Sequence, residues 1–305
     1  MQSLPFRRLA DAYQLELDYV ISQLAQGEIP WKKSWQPMGL PQNYLTGHRY
    51  SGWNLCMLLF VMRREAYRSP GFLTFLQARE MGGCVKRGQK GYQVVYWMEV
   101  EKEPDTKNSG RSNTIRVGKR HTIFNVDQVD GITLEQEVLL PPGPDEKLRR
   151  CAQIIDSLQH APLIRFGGDR ACYDFVSDSI IMPHPKRFIS EEAFYATLFH
   201  ELAHSTGHPD RLGRPELAGS DGFGKPLYSQ EELTAELTAA FLCAHCGIEQ
   251  QTRMNSAAYI QSWLRALQDD RRLLLRSAMQ AQAAADYLLG IKPAGNDRGV
   301  EVNGH

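Results

Sequence analysis

Residues 190–207 read Ser190-Glu-Glu-Ala-Phe-Tyr-Ala-Thr-Leu-Phe-His200-Glu201-Leu-Ala-His204-Ser-Thr-Gly207, and this stretch decides the class of the C-terminal half of the chain. Ser190 can accept a hydrogen bond from the first free backbone N–H groups, and Glu191 and Glu192 favour the positive end of a helix. Phe194, Leu198 and Leu202 make a core-facing stripe, and Gly207 supplies a stop. The spacing therefore predicts a helix over 191–206. His200 and His204, at i and i+4, project from one face of it about a turn apart, a separation that suits two imidazoles sharing one tetrahedral zinc ion. Glu201 sits beside the open coordination position, where a carboxylate can take a proton from an attacking water and pass it to a leaving amine. An HExxH pentapeptide arises by chance in roughly 2% of chains of this length and composition, so the motif carries weight.

Zinc needs a third protein ligand. Glu232 and Glu236 lie at i and i+4 on the next helix, read over 230–243 and beginning at Ser229. They resemble the Glu-x-x-x-Asp pair of thermolysin-type zincins, in which the first carboxylate binds the metal and the second orients a histidine. On that reading Glu232 is the ligand and Glu236 the orienter. Three alternatives stay open. Glu236 is itself a candidate for the third ligand, Ser229-x-x-Glu232 is also a capping box, and Asp210 follows Gly207 at the spacing of a metzincin variant. The ligand types favour Zn2+, and another divalent transition metal such as Mn2+ is compatible with them. Tyr173 and Tyr228 are candidates for the group that donates to the tetrahedral intermediate. Strands read over 171–175 and 179–182 are candidates for the edge that holds an extended substrate. Cys243-Ala-His-Cys246 lacks the partner ligands of a structural zinc site and reads as two buried cysteines near a helix end.

Working outward, the net charge of zero conceals an asymmetry. Residues 1–130 carry 18 Lys and Arg against 12 Asp and Glu, and residues 131–305 carry 17 against 23. Between Trp31 and Met98 the ratio sharpens to 10 basic against 2 acidic, and four of the five tryptophans lie in that stretch. Positive charge interleaved with rings is the footprint of single-stranded nucleic-acid binding. Trp31, Lys32, Lys33, Trp35, Arg49, Tyr50 and Trp53 are the first candidates, joined by Tyr44. Lys86, Arg87 and Lys90 in a glycine-rich loop are the second group. No helix-turn-helix or zinc-finger spacing suggests a reader of duplex sequence.

Hydrophobic periodicity predicts a helix over 6–26, helices over 55–64 and 73–81, strands over 93–100 and 121–126, and a polar loop over 102–119. After the Pro141-Pro142-Gly143-Pro144 segment come a helix over 145–158, strands over 163–166, 171–175 and 179–182, and a long amphipathic helix over 255–289. The expected division is a domain over 1–130, a linker over 131–145, a second domain over 146–290 and a tail over 291–305, both domains being α+β. With no segment apolar enough to cross a membrane and no export signal, a cytoplasmic monomer with reduced thiols is expected.

Several patterns belong together: Pro30-Trp31-Lys32-Lys33-Ser34-Trp35, the segment from Pro41 through Asn43, Thr46-Gly47 and Tyr50 to Asn54, Leu73-Thr74-Phe75-x-Gln77-Ala78, Val85-x-Arg87-Gly88-x-Lys90-Gly91, and Phe124-Asn-Val-Asp-Gln128. With Asp178-x-Ile180-x-Met182-Pro183, the HELAHSTGH stretch, Arg211-Leu212 and Glu231-Glu232-Leu-x-Ala-Glu236, they make the chain resemble the ArdC-type antirestriction proteins over nearly its whole length. Their N-terminal domain is shared with TraC-type plasmid primases. The resemblance implies a single-stranded-DNA-binding domain followed by a zincin-like (SprT- or thermolysin-like) metallopeptidase domain. It further implies protection of incoming conjugative DNA from host restriction. The protein substrate is unknown, a host restriction component being the candidate. The alternative is a protein that only coats single strands, its metal domain being structural.

Overall fold

The computed structural model describes residues 13–31, 39–101, 114–132, 142–215, 226–250 and 257–291. Its N-terminal half is built on α1 (Gln14–Ala25), α2 (Gly52–Arg64) and a four-stranded sheet. That sheet runs β1 (Gln42–Asn43), β2 (Gly71–Thr74), β5 (Thr114–Asn125), β4 (Tyr92–Glu101), parallel between β1 and β2 and antiparallel elsewhere. A short helix α3 (Phe75–Glu80) and a two-stranded ribbon of β3 (Cys84–Val85) and β6 (Val129–Asp130) complete it. The C-terminal half opens with α4 (Pro144–Asp156). A three-stranded sheet follows, ordered β7 (Leu163–Phe166), β9 (Ser179–Met182), β8 (Cys172–Asp174). Helices α5 (Glu191–Ser205), α6 (Pro226–Cys246), α7 (Ala257–Asp269) and α8 (Arg272–Leu288) then pack together.

The two halves share one core. Helix α2 is apolar all round, with Trp53 and every residue from Leu55 to Met62 buried, so it needs cover on more than one side. Helix α8 provides part of it, and the Gly52 N–H at the start of α2 donates to Gln282 Oε1 at 3.0 Å. Helix α1 meets α7 in the same way, and Trp31, which follows α1, packs on Trp263 with ring centroids 5.6 Å apart.

Local signals predicted most elements, and the differences have identifiable causes. The segment 73–81 is not one helix. Phe72 and Leu73 are fully buried in the sheet, and Thr74 caps a helix that starts only at Phe75, its hydroxyl accepting from the Gln77 N–H at 3.2 Å. The run 255–289 is two helices. Asp270 interrupts it, its carboxylate accepting from the Arg272 N–H at 3.0 Å, so a new helix begins. The expected loop 102–119 is shorter, because β5 already pairs with β4 from Thr114. Residues 102–113 lie outside the described residues, as do the expected start of the first helix, most of the linker and the tail beyond 291. Helix α6 begins at Pro226 rather than Ser229, and the Ser229 hydroxyl meets the Ser262 hydroxyl at 2.7 Å inside the packed bundle. The capping-box role for Glu232 therefore does not hold: Glu232 is nearly two turns into the helix.

Candidate metal centre

Helix α5 is capped as its sequence predicts, Ser190 Oγ accepting from the Ala193 N–H at 3.1 Å. The cap fixes the phase of the helix, and α6 packs along the face that carries His200 and His204. The two Nε2 atoms lie 3.1 Å apart. Glu232 on α6 closes a triangle with them, its Oε2 3.6 Å from His200 Nε2 and its Oε1 3.7 Å from His204 Nε2. All three side chains are buried. Ligands placed tetrahedrally at about 2.0–2.1 Å from one ion stand about 3.4 Å from one another, and here one ligand atom from each of the three side chains lies within 4.8 Å of the other two. Glu232 Oε2 has no hydrogen-bond partner, a costly state for a buried carboxylate oxygen unless a cation meets it.

The electrostatics point the same way. Glu201, Glu231, Glu232 and Glu236 are all buried around the two imidazoles, with Arg214 as the buried cation beside them. Burial works to push Glu232 up, yet His200, His204 and the Tyr228 hydroxyl outweigh it and hold the carboxyl below its ordinary value. Burial would lower His200, but Glu232, Glu236 and Glu201 together raise it to about 9. Each result describes a pocket with surplus negative charge that is relieved by positive charge between its members. Among the described residues this is the one cluster of three or more His, Cys, Asp or Glu side chains with metal-holding geometry. The donor set and its spacing fit a divalent transition metal.

The surrounding groups orient the triangle. His204 Nδ1 is 3.1 Å from Glu231 Oε1, and Arg214 grips the same carboxylate through Nε at 2.8 Å and a terminal nitrogen at 2.6 Å. Arg214 also donates to Thr206 Oγ1 at 2.6 Å and to the Ala203 carbonyl at 2.7 Å, tying the end of α5 to α6. Burial opposes ionisation of Glu231, but Arg214 and then His204 win and keep its pKa lowered. An ionised Glu231 accepts from Nδ1–H, which leaves the lone pair of His204 on Nε2. Glu236 is fully buried, accepts from Gln250 Nε2 at 2.8 Å and stands 3.7 Å from His200 Nδ1. Sequence reading missed Glu231 and Arg214 as site residues. The adjacent acid pair at 231–232 was the available signal for the first, and Arg214 had none, since it reaches its partner across 17 residues of chain.

The proton-handling candidates separate. Glu201 is buried, and burial raises its pKa against the pull of His200 and His204. Its carboxylate accepts from the Tyr173 backbone N–H. The Tyr173 hydroxyl is committed elsewhere, donating to Asp178 Oδ1 at 2.8 Å and accepting from Arg211 at 3.2 Å. A hydroxyl held by that ion pair is not poised to donate to an intermediate, so this assignment is corrected. Tyr228 differs, because its hydroxyl stabilises the Glu232 carboxylate and lies 3.1 Å from the Tyr259 hydroxyl. Asp210 is exposed and faces His208 at 3.5 Å, outside the triangle. Strand β9 is central and paired on both sides, which removes it as a substrate edge, whereas β8 is an edge strand packed against α5.

Arg211 joins β8 and β9 to the end of α5 by donating to the Ser205 carbonyl at 2.6 Å and pairing with Asp178. Hydrogen bonds from Arg211, followed by the Tyr173 hydroxyl, hold the Asp178 carboxyl below its ordinary 3.8 despite some burial. A lowered folded-state pKa means the pair stabilises fully above 3.8 and that this contribution is lost as pH falls through the lowered value. Asparagine tolerates the positive φ of 44° at this position. Asp178→Asn is therefore expected to lower Tm at pH 7, with its curve converging on the parent's as pH falls below the ordinary 3.8 and through the lowered value. Thermal melts over that range measure it.

The proposed DNA contacts divide more sharply. Trp31, Tyr50 and Trp53 are 0%, 3% and 5% exposed, so they fill the core and cannot stack on bases. Trp53 lies edge-on to Tyr13 at 5.8 Å and Tyr50 edge-on to Phe72 at 6.2 Å. Arg49, Lys86, Arg87 and Lys90 are exposed. Lys86 donates to the Asp127 carbonyl at 2.9 Å and lies 3.7 Å from Asp130, which neutralises part of its charge. Lys32, Lys33 and Trp35 lie outside the described residues. Cys243 and Cys246 are fully buried, and no helix among the described residues is long and apolar enough to cross a membrane.

Comparison with known proteins matches this geometry to a family. Residues 10–124 fit the N-terminal domain of the anti-restriction factor ArdC, and residues 152–280 fit a zincin-like metallopeptidase domain. The metal-free crystal structure of the antirestriction protein ArdC from plasmid R388 superposes with a TM-score of 0.73 at 37% identity, covering 92% of this chain and 97% of that one. Its Mn(II)-bound form gives 0.72 and 36% over the same shares. A DNA primase TraC of Escherichia coli is 33% identical over 304 residues, 92% of this chain. The chain spans only 20% of that primase and 26% of a second TraC primase from the same species. The uncharacterised protein y4eC of Sinorhizobium fredii is 31% identical over 287 residues, 91% of each chain. A basic N-terminal half and a zincin-like helix pair, joined through one core and matched by ArdC over 92% of the chain, show that this chain belongs to the ArdC antirestriction protein family.

Proposed function

We propose that the protein is a metal-dependent peptidase tethered to single-stranded DNA, which protects incoming plasmid DNA from host restriction. The observation that carries the catalytic half is the pair of Nε2 atoms 3.1 Å apart with the buried Glu232 carboxylate against both, one of its oxygens without a hydrogen bond. His200, His204 and Glu232 would hold a divalent cation, Zn2+ by donor chemistry, with Mn2+ supported by the Mn(II)-bound ArdC relative. Bound there, such an ion supplies Lewis-acid polarisation of a peptide carbonyl and makes water acidic enough to deprotonate near neutral pH.

The chain's own groups do the rest. Glu201, kept basic by burial yet beside two imidazoles, takes the proton of the attacking water and returns it to the leaving amine. Tyr228 offers its hydroxyl to the developing oxyanion. Glu231 and Glu236 orient His204 and His200. Strand β8 lies at the edge of its sheet, with its Tyr173 N–H directed to Glu201, and would bring an extended substrate beside that carboxylate through backbone hydrogen bonds. A host restriction component is the substrate proposed. Arg49, Lys86, Arg87 and Lys90, with Lys32, Lys33 and Trp35, would supply the charge that holds a single strand.

One observation favours a second reading. Helix α6, which carries Glu232, is buried in the core that both halves share, so a cation there would also stabilise the whole fold. Protection could then come from coating DNA alone.

Stoichiometric cation uptake is the first test. Zn2+ at about a hundred times its Kd is expected to raise Tm by roughly 5 °C, reversed by a chelator. His204→Ala is expected to remove the shift. Calorimetry and metal analysis read both, and a parent protein that takes up no transition metal would overturn the enzymatic reading.

A further inference from the structure

With Trp31, Tyr50 and Trp53 inside the core, a different set of rings in the N-terminal half reaches the surface. Tyr96 on β4 and His121 on β5 are half-buried, and His48, just before α2, is exposed. The Tyr96 ring centroid lies 5.4 Å from that of His121 at 81°, and 6.1 Å from that of His48 at 46°. Strand alternation explains the grouping: Tyr96 pairs with Lys119 and Val94 with His121, placing all four side chains on one face of the ladder. Beneath Tyr96 lies Tyr50 at 6.3 Å, itself buried against Phe72. The exposed rings therefore rest on a packed aromatic bed and lose little freedom when something settles on them. Burial, and after it Lys119, hold His121 below its usual value, so the imidazole is uncharged at neutral pH.

The segments that carry these rings hold charge of one sign. Residues 39–54, 92–96 and 118–125 contain Arg49, Lys119 and Arg120 and no aspartate or glutamate, and all three cations are exposed. An anion that also presents flat apolar faces is complementary to such a surface. Duplex DNA hides its base faces in the stack, whereas a single strand exposes them.

We propose that His48, Tyr96 and His121 form the base-stacking surface for single-stranded DNA, with Lys119 on the same face meeting backbone phosphates. The proposal rests on the single-strand reading above and assigns the rings that carry it.

The test uses the full chain, a labelled oligothymidylate and an abasic oligomer of equal length, compared by fluorescence anisotropy at fixed salt. The parent is expected to bind the oligothymidylate more tightly. The double variant Tyr96→Ala with His121→Ala should lose about tenfold of that affinity, the order expected for one stacked base, and keep the parental affinity for the abasic oligomer. Tyr96→Phe should bind like the parent. His48→Ala, at an exposed position outside the core, should weaken oligothymidylate binding in the same direction. As a readout independent of folding, photo-crosslinking of an iododeoxyuridine oligomer to the parent should label peptides containing His48, Tyr96 or His121. A parent that discriminates between the oligomers while the double variant still matches it, or adducts confined to other peptides, overturns the assignment. A parent that binds neither oligomer overturns the single-strand reading itself, and this surface with it.

Discussion

Glutamine at position 201 is expected to reduce peptide hydrolysis by about 10²–10⁴-fold while leaving cation uptake at the parental level. Glu201 is not a member of the triangle formed by His200, His204 and Glu232, so its amide analogue keeps their spacing. The amide is nearly isosteric and can still accept from the Tyr173 backbone N–H, which anchors the side chain. It cannot take a proton. Burial disfavours a charge at this position, so the neutral replacement should not weaken the fold. Hydrolysis of an unstructured protein substrate, with metal analysis of the same preparation, measures the prediction. The same variant separates the two functional readings. If Glu201→Gln protects transferred plasmid DNA as fully as the parent, chemistry is not the means of protection and the coating function stands alone.

Arg214→Met is expected to cost about 3–5 kcal/mol of stability, because Glu231 would remain buried with its main cationic partner gone. The loss should exceed that of an ordinary surface substitution because Arg214 satisfies several groups at once: both Glu231 oxygens, Thr206 Oγ1 and the Ala203 carbonyl. Metal affinity should fall by roughly 10–100-fold as well, since Glu231 would no longer hold the His204 ring in one tautomer. Combining Arg214→Met with Glu231→Gln removes both charges and is expected to recover much of the stability but not the affinity. Urea denaturation and zinc titration of the two variants distinguish these effects. A single variant that loses less than about 1 kcal/mol would show that the pair is solvated, contrary to its burial.

What could be read in advance was local. The α5 cap at Ser190, the pairing of His200 with His204 and the bounds of β7 and β9 depend on neighbours within a few residues, and they appear in the fold where periodicity placed them. Even the choice of Glu232 over Asp210 followed from i, i+4 spacing on one helix. The capping-box alternative failed for a reason outside its own segment. Ser229 packs on Ser262, 33 residues on, and the helix extends one turn back to Pro226.

The charge distribution of the N-terminal half was legible from composition, but the role of each ring was not. A tryptophan between lysines looks the same whether it faces solvent or Trp263, and 232 residues of chain separate Trp31 from that partner. Separation in sequence, though shorter, also hid Arg214 behind Glu231 and concealed that Tyr96, His121 and His48 meet on one surface. Hydrogen-bonded turns and helix faces are fixed by short-range backbone geometry, so the sequence alone determined the motif-bearing helix and its two histidines. Burial, ion pairing and the meeting of rings depend on which distant segments pack together to hide apolar area, and only the tertiary structure decided them.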